Sequence, residues 1–292
     1  MHERISVNQL CFPGVSIDDF ADVCGAIGVS RISFVHDSFA AEGEAVIREA
    51  LARNRLSLDT ITHGFRTPDE RTLAYQGKGY DGDVIRRPQR ALSTDETVWA
   101  RDREHLSAVI ELTARCGGRS VYIGSGGRGS MSWEEAAECF RAAVAPCLDV
   151  AKAAGVDLLI EHNPPLHVDT NLAHTLHDAI RLADITGLGI CVDIFSCWTE
   201  GGMLDLFRQI MPRCSAFQIA DYVLGDRAYP CRAVPGDGVV PIRQIVDWAL
   251  EAGYTGAFEL EMMGPRIDRE GHADAVKRAA ENVSEILVSL NA

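Results

Sequence analysis

Eight times along this chain a short apolar run gives way to a longer amphipathic one, and that alternation restricts the fold more than any other feature. Strands are expected at Ile5–Leu10, Arg31–Val35, Leu56–Thr62 and Ser120–Ile123, then in four more runs ending at Glu161, Asp193, Gln218 and Glu261. Helices are expected from Ser16 to Gly25, over Gly43–Asn54, from Ser93 to about Cys116, and from Ser132 to Ala154. Four more follow over Leu172–Ile185, near Met203–Met211, over Pro241–Ala252 and over Ala273–Leu290. Ser16-Ile17-Asp18-Asp19 and the pairs Ser93/Glu96 and Ser132/Glu135 are N-terminal capping signals. Eight strand–helix units with no Ser/Pro-rich linker predict an α/β fold of one domain, a single (β/α)₈ TIM barrel over residues 1–292. An open doubly wound sheet needs no eighth unit and usually a glycine-rich first turn, which Phe12-Pro13-Gly14-Val15 does not supply.

The balance of charge narrows the partners. A formal net charge of −14 argues against nucleic acid or an anionic membrane as the main partner. No run of 18 apolar residues and no signal-peptide pattern stands out. The nine cysteines are odd in number, scattered and never spaced C-x-x-C. That pattern suits a reduced, cytoplasmic protein better than a disulfide scaffold or a thiolate zinc site.

The strand ends carry the chemistry. Val156-Asp157-Leu158-Leu159-Ile160-Glu161 is an apolar run that ends in a carboxylate, and His162-Asn163-Pro164 follows it. Period-two alternation puts Asp157, Leu159 and Glu161 on one face, and Pro164 stops the ladder. Asp193, Gln218 and Glu261 occupy the same place on the next three strands. In a barrel these ends open onto one bowl. An oxygen-rich set with three negative charges suits a hard cation, Mg²⁺ or Mn²⁺, better than Zn²⁺. The plain alternative is a barrel mouth whose polar residues only hydrogen-bond its loops.

The chain resembles the xylose-isomerase-like superfamily of TIM barrels, the sugar phosphate isomerase/epimerase type. The matching segments are Ser6-Val7-Asn8-Gln9, Leu159-Ile160-Glu161, Cys191-Val192-Asp193, Phe217-Gln218-Ile219-Ala220-Asp221, Pro235-Gly236-Asp237-Gly238 and Gly253-Tyr254-Thr255-Gly256 leading to Glu261. Glutamine at position 218 is similar to the hydroxypyruvate-isomerase and dehydroshikimate-dehydratase branches. Asp193-Ile194-Phe195-Ser196 departs from the Asp-x-x-His often found there, so substrate contacts in that quadrant do not carry over. The resemblance implies that Glu161, Asp193, Gln218 and Glu261 hold a divalent ion (Mn²⁺ or Mg²⁺, with Co²⁺ a further candidate). It also implies that Glu161 and Glu261 act as bases on opposite faces of a substrate.

Around this set, His36, His63, Asn163 and Arg232 are the candidate substrate-binding residues. His36 and His63 follow the second and third strands and are expected to face the bowl. Asp221 is expected to orient Gln218 or a loop, and Glu259 to lie deeper in the barrel than Glu261. Trp198 is a candidate for the place of the missing histidine. The glycine-rich segment Gly64–Leu92 is expected to act as a lid or a subunit contact.

The function expected is a metal-dependent isomerase or epimerase of a sugar or related hydroxy-carbonyl compound, working through an enediolate. The alternative is a lyase that eliminates water or another group from an oxo-sugar or oxo-cyclitol. An endonuclease-IV-like phosphodiesterase and a non-catalytic barrel are weaker readings, the first for its charge and the second for its ligand set. A homo-oligomer is compatible with the sequence.

Overall fold

Parallel strands cannot be joined by tight turns, so each apolar run must be followed by a crossover, here always containing a helix. The computed structural model describes residues 1–64, 92–227 and 229–292. Its strands are β1 (Ile5–Asn8), β2 (Arg31–Val35), β3 (Ser57–Gly64), β4 (Ser120–Gly124), β5 (Asp157–Glu161), β6 (Gly189–Asp193), β7 (Cys214–Ile219) and β8 (Phe258–Leu260). They pair in sequence order and close into a barrel. Closure is set by Gln218 and Ser6, both of which stand opposite Glu259.

The main outer helices are α1 (Ile17–Ile27), α2 (His36–Glu42), α3 (Glu44–Asn54), α4 (Glu96–Arg115), α5 (Trp133–Ala154) and α6 (Leu176–Thr186). They continue with the single turn α7 (Ile194–Cys197), α8 (Met203–Ile210), α9 (Ile242–Glu251), α10 (Pro265–Glu270) and α11 (His272–Ser289). Ser16 caps α1 through Asp19 N, and Ser132 with Glu135 forms a reciprocal capping box on α5. On α4 the expected pair is displaced. Asp95 caps Thr97 N at 2.8 Å, while Ser93 accepts from Asp95 N. Two short helices, α2 and α7, escape the periodicity because each begins directly after a strand.

The apolar residues divide in two. A large cluster lies between the strands' outer faces and the helices. Within it Phe12, Phe20, Phe34 and Phe39 stack in sequence, with centroid separations of 5.5, 5.8 and 5.9 Å, and so dock α1 and α2 on β2. Each fully buried ring contributes about 1.5–3 kcal/mol by burial alone. The second cluster is small: Tyr122, Leu159, Cys191 and Ala216 meet inside the barrel. Its other inward positions include the buried Ser6, Asn8, Ser33, Thr60 and Ser120. The lid expected over Gly64–Leu92 falls almost wholly on residues 65–91, outside the described residues.

Candidate active site

β5 to β8 bring the four expected oxygens to one end of the barrel, at slightly different heights. Glu161 and Asp193 end their strands, Gln218 is the penultimate residue of β7, and Glu261 lies just past β8. Glu259, in register with Gln218, sits below Glu261 as alternation requires.

Glu161 remains partly exposed, and its Oε2 accepts from Asn163 Nδ2 at 3.0 Å. Asn171 Nδ2 fixes that amide, donating to Asn163 Oδ1 at 2.8 Å and to the Glu161 carbonyl at 2.9 Å. Asn163, expected to touch substrate, is therefore tied first to the carboxylate beside it. Desolvation and the charges of Glu261 and Asp193 push the Glu161 carboxyl well above the usual carboxylate range.

Asp193 is fully buried and holds four hydrogen bonds. Arg232 grips it as a fork, Nη1 to Oδ1 at 3.0 Å and Nη2 to Oδ2 at 2.8 Å. Phe195 N reaches Oδ1 at 3.1 Å, and Ser196 Oγ reaches Oδ2 at 2.6 Å. Ser196, standing where related sequences often have histidine, thus serves the aspartate. Trp198 lies against Tyr222, with ring centroids 6.2 Å apart. Arg232, expected in a loop over the site, is only 6% exposed, and its guanidinium lies over the Phe195 ring at 4.7 Å. Burial opposes its charge, but Asp193 and Glu261 more than offset that cost.

Glu261 has one oxygen 3.5 Å from Arg232 Nη2, and the Tyr122 hydroxyl favours its charged form. Burial raises its pKa, Arg232 lowers it and Asp193 raises it, leaving it at about 7. Beneath it, Glu259 Oε1 accepts from Asn8 Nδ2 at 2.7 Å and from Gln218 Nε2 at 3.4 Å. Burial, then the charge of Glu261, lifts Glu259 to about 8. Asn8 Nδ2 and the Thr62 hydroxyl both donate to Tyr122. Tyr122 escaped the sequence reading. Its inward position on β4 was the available signal, since a buried hydroxyl needs partners.

Asp221 organises the following loop, not Gln218. Its carboxylate accepts from the backbone of Tyr222, Gly236, Gly238 and Val240 at 2.8–3.0 Å. A Cβ on Gly238 would lie 2.2 Å from the Tyr222 carbonyl, so only glycine fits there. Gly127 is similarly pressed against the backbone of Val168 and Asp169. His162 is buried on the other face of β5 and accepts from Asp193 N at 3.3 Å.

The two histidines expected in the bowl go elsewhere. Thr62 meets Tyr122 inside the barrel, so alternation turns His63 outward, where it meets His36 and His105 of α4. The β3 register thus corrects the expectation that His63 lines the bowl, and His36 packs with it.

Whether the four oxygens suit a divalent ion is tested by their unmet valences. Gln218 Oε1, Glu259 Oε2 and Glu261 Oε2 are buried with no hydrogen-bond partner among the described residues. Among the described residues, four carboxyl groups share one guanidinium. The set therefore fits a cation, which must compete with Arg232 for Asp193, whose lone pairs are already engaged.

Comparison with known proteins places this geometry. The profile of the xylose isomerase-like TIM barrel matches residues 48–285. No curated protein matches the chain. Among solved structures, protein SMc04130 from Sinorhizobium meliloti 1021 is 21% identical with a TM-score of 0.80, over 97% of this chain and 98% of that one. An L-ribulose 3-epimerase is 19% identical at a TM-score of 0.75, covering 99% and 96% of the two chains. An IolI protein with a bound zinc atom is 13% identical at 0.76, covering 98% and 99%. At these identities the likeness is one of fold.

Proposed function

The chain belongs to the xylose isomerase-like TIM barrel family, and we propose that it is a divalent-metal-dependent isomerase or epimerase of a sugar or related hydroxy-carbonyl compound. The observation that carries this reading is the oxygen set of Glu161 and the buried Asp193, Gln218 and Glu261, with Gln218 Oε1 and Glu261 Oε2 unpartnered among the described residues. The epimerase among the structural neighbours supports the substrate class, and the zinc in IolI supports a metal.

These four residues would hold Mn²⁺ or Mg²⁺, which supplies stabilisation of negative charge on two adjacent substrate oxygens. Glu161 and Glu261 are the bases. A base works best with a pKa near the working pH, and burial raises both carboxyls, Glu261 to about 7. Asn163 aims Glu161. One glutamate takes the proton from carbon and the other returns it, to the same or the opposite face. Arg232 and Ser196 position Asp193.

The test is turnover on a panel of ketoses, oxo-sugars and oxo-cyclitols with added Mn²⁺, with solvent deuterium uptake read by NMR. Exchange into carbon with isomerised product is expected. Full activity in EDTA with no metal by elemental analysis sinks the metal reading, and loss of a leaving group transfers the enzyme to the lyases. Glu161→Gln and Glu261→Gln should hurt turnover more than metal affinity, and Asp193→Asn the reverse. Near wild-type turnover in both glutamine variants would remove the proton-transfer roles.

A further inference from the structure

Outside the bowl, three imidazoles meet. His36 opens α2, His63 stands on the outward face of β3, and His105 lies midway along α4. The His36 ring is 4.3 Å from that of His63 and 4.4 Å from that of His105, centroid to centroid. One ligand nitrogen from each lies within 4.8 Å of the other two. Nitrogens bound tetrahedrally at about 2.0–2.1 Å from zinc stand about 3.3 Å apart, a spacing that small side-chain rotations reach.

A second observation points to a ligand. His63 is 4% exposed, and neither ring nitrogen has a hydrogen-bond partner among the described residues. Burying an imidazole with both nitrogens unmet is unfavourable, whereas a cation at the centre of the three rings satisfies one of them directly.

We propose that His36, His63 and His105 form a second divalent-metal site, of the zinc type, outside the barrel. Three imidazole nitrogens suit Zn²⁺, or Co²⁺ as its probe, and suit Mg²⁺ or Mn²⁺ poorly. A metal here joins α2, β3 and α4. Three protein ligands leave a fourth position for water or another donor. The oxygen set and this nitrogen set therefore select different ions within one chain.

The experiment uses the full chain, stripped of metal and saturated with Mg²⁺ to occupy the oxygen ligands, then titrated with Co²⁺. Intense visible d–d absorption of low-coordinate cobalt is expected, bleached by a single equivalent of Zn²⁺. His63→Gln and His105→Gln should each lose it, weakening Zn²⁺ binding by about a hundredfold or more, with unchanged circular dichroism. Asp193→Asn should keep the absorption, which separates this site from the one in the bowl. Wild-type protein without the absorption at saturating Co²⁺ overturns the proposal without recourse to any variant. Retention of the band in the folded histidine variants overturns it equally.

Discussion

Replacing Arg232 by Met keeps most of the side-chain volume and removes the cation from the acid cluster. The guanidinium lies 2.8 Å from Asp193 and 3.5 Å from Glu261. At an effective dielectric constant of about 20, these separations correspond to roughly 6 and 5 kcal/mol of gross attraction. Desolvation of the arginine cancels much of that. What remains is the cost of leaving a buried carboxylate unpaired, about 3–5 kcal/mol. Urea denaturation of the metal-free protein should show Arg232→Met less stable by that amount. Adding Mn²⁺ should then stabilise the variant more than the wild type, because two lone pairs of Asp193 become free and the acids lack a counter-charge. Arg232→Lys, which keeps the charge but not the fork, should fall between. A metal-free Arg232→Met protein within about 1 kcal/mol of wild type would refute the balance drawn here. Weaker Mn²⁺ binding by the variant would refute the competition for Asp193.

Three further outcomes are expected. Glu259 carries a folded-state pKa of about 8 against an ordinary 4.5, so the native state holds its proton longer than the unfolded chain. Stability of the metal-free protein should therefore fall as pH rises through that window, by an order of magnitude of 5 kcal/mol for this group. Glu259→Gln should flatten the decline in denaturation curves taken across it. Asp221→Ala leaves four backbone donors without their carboxylate and should cost about 3 kcal/mol or more by urea denaturation; stability within 1 kcal/mol of wild type would deny it the organising role. Asn163→Ala removes a hydrogen bond that favours ionised Glu161, so the acid limb of a pH–rate profile should move up; an unmoved limb would mean that Glu161 is not the group titrating.

The strands were legible because buried parallel strands are short apolar runs with helices between them, and the ordered closure followed from their number. The inward direction of Glu161, Asp193, Gln218 and Glu261 was legible for the same reason. Two things were not. Arg232 reaches Asp193 because Asp221 pairs with Ala233 and gathers the backbone between Gly236 and Val240. Those contacts span up to 19 residues and leave no local periodicity. His63 was misdirected because β3 extends to Gly64, two residues beyond its expected end. Its partner His105 lies beyond a long polar stretch, on a helix whose inner face is defined only once packed.

The placement of Arg232, the one buried arginine or lysine among the described residues, divides the roles among the acids. Asp193 takes the whole fork of Arg232 and a serine hydroxyl as well, so its charge is bound in both oxygens. Glu261 has the edge of that guanidinium, and Glu259 has amides. Neutral donors stabilise a carboxylate less than a cation does, so burial dominates and the two glutamates rise to about 7 and about 8. A carboxyl near neutrality can give and take a proton. Interior positions on β1 to β4 that barrels usually fill with branched aliphatics are here Ser6, Asn8, Ser33, Thr60, Thr62, Ser120 and Tyr122. The apolar packing given up there falls to the outer shell, where Phe20, Phe34, Phe207 and Phe217 are completely buried. Substitutions inside the barrel should consequently act on proton chemistry, and truncations of those outer rings on folding.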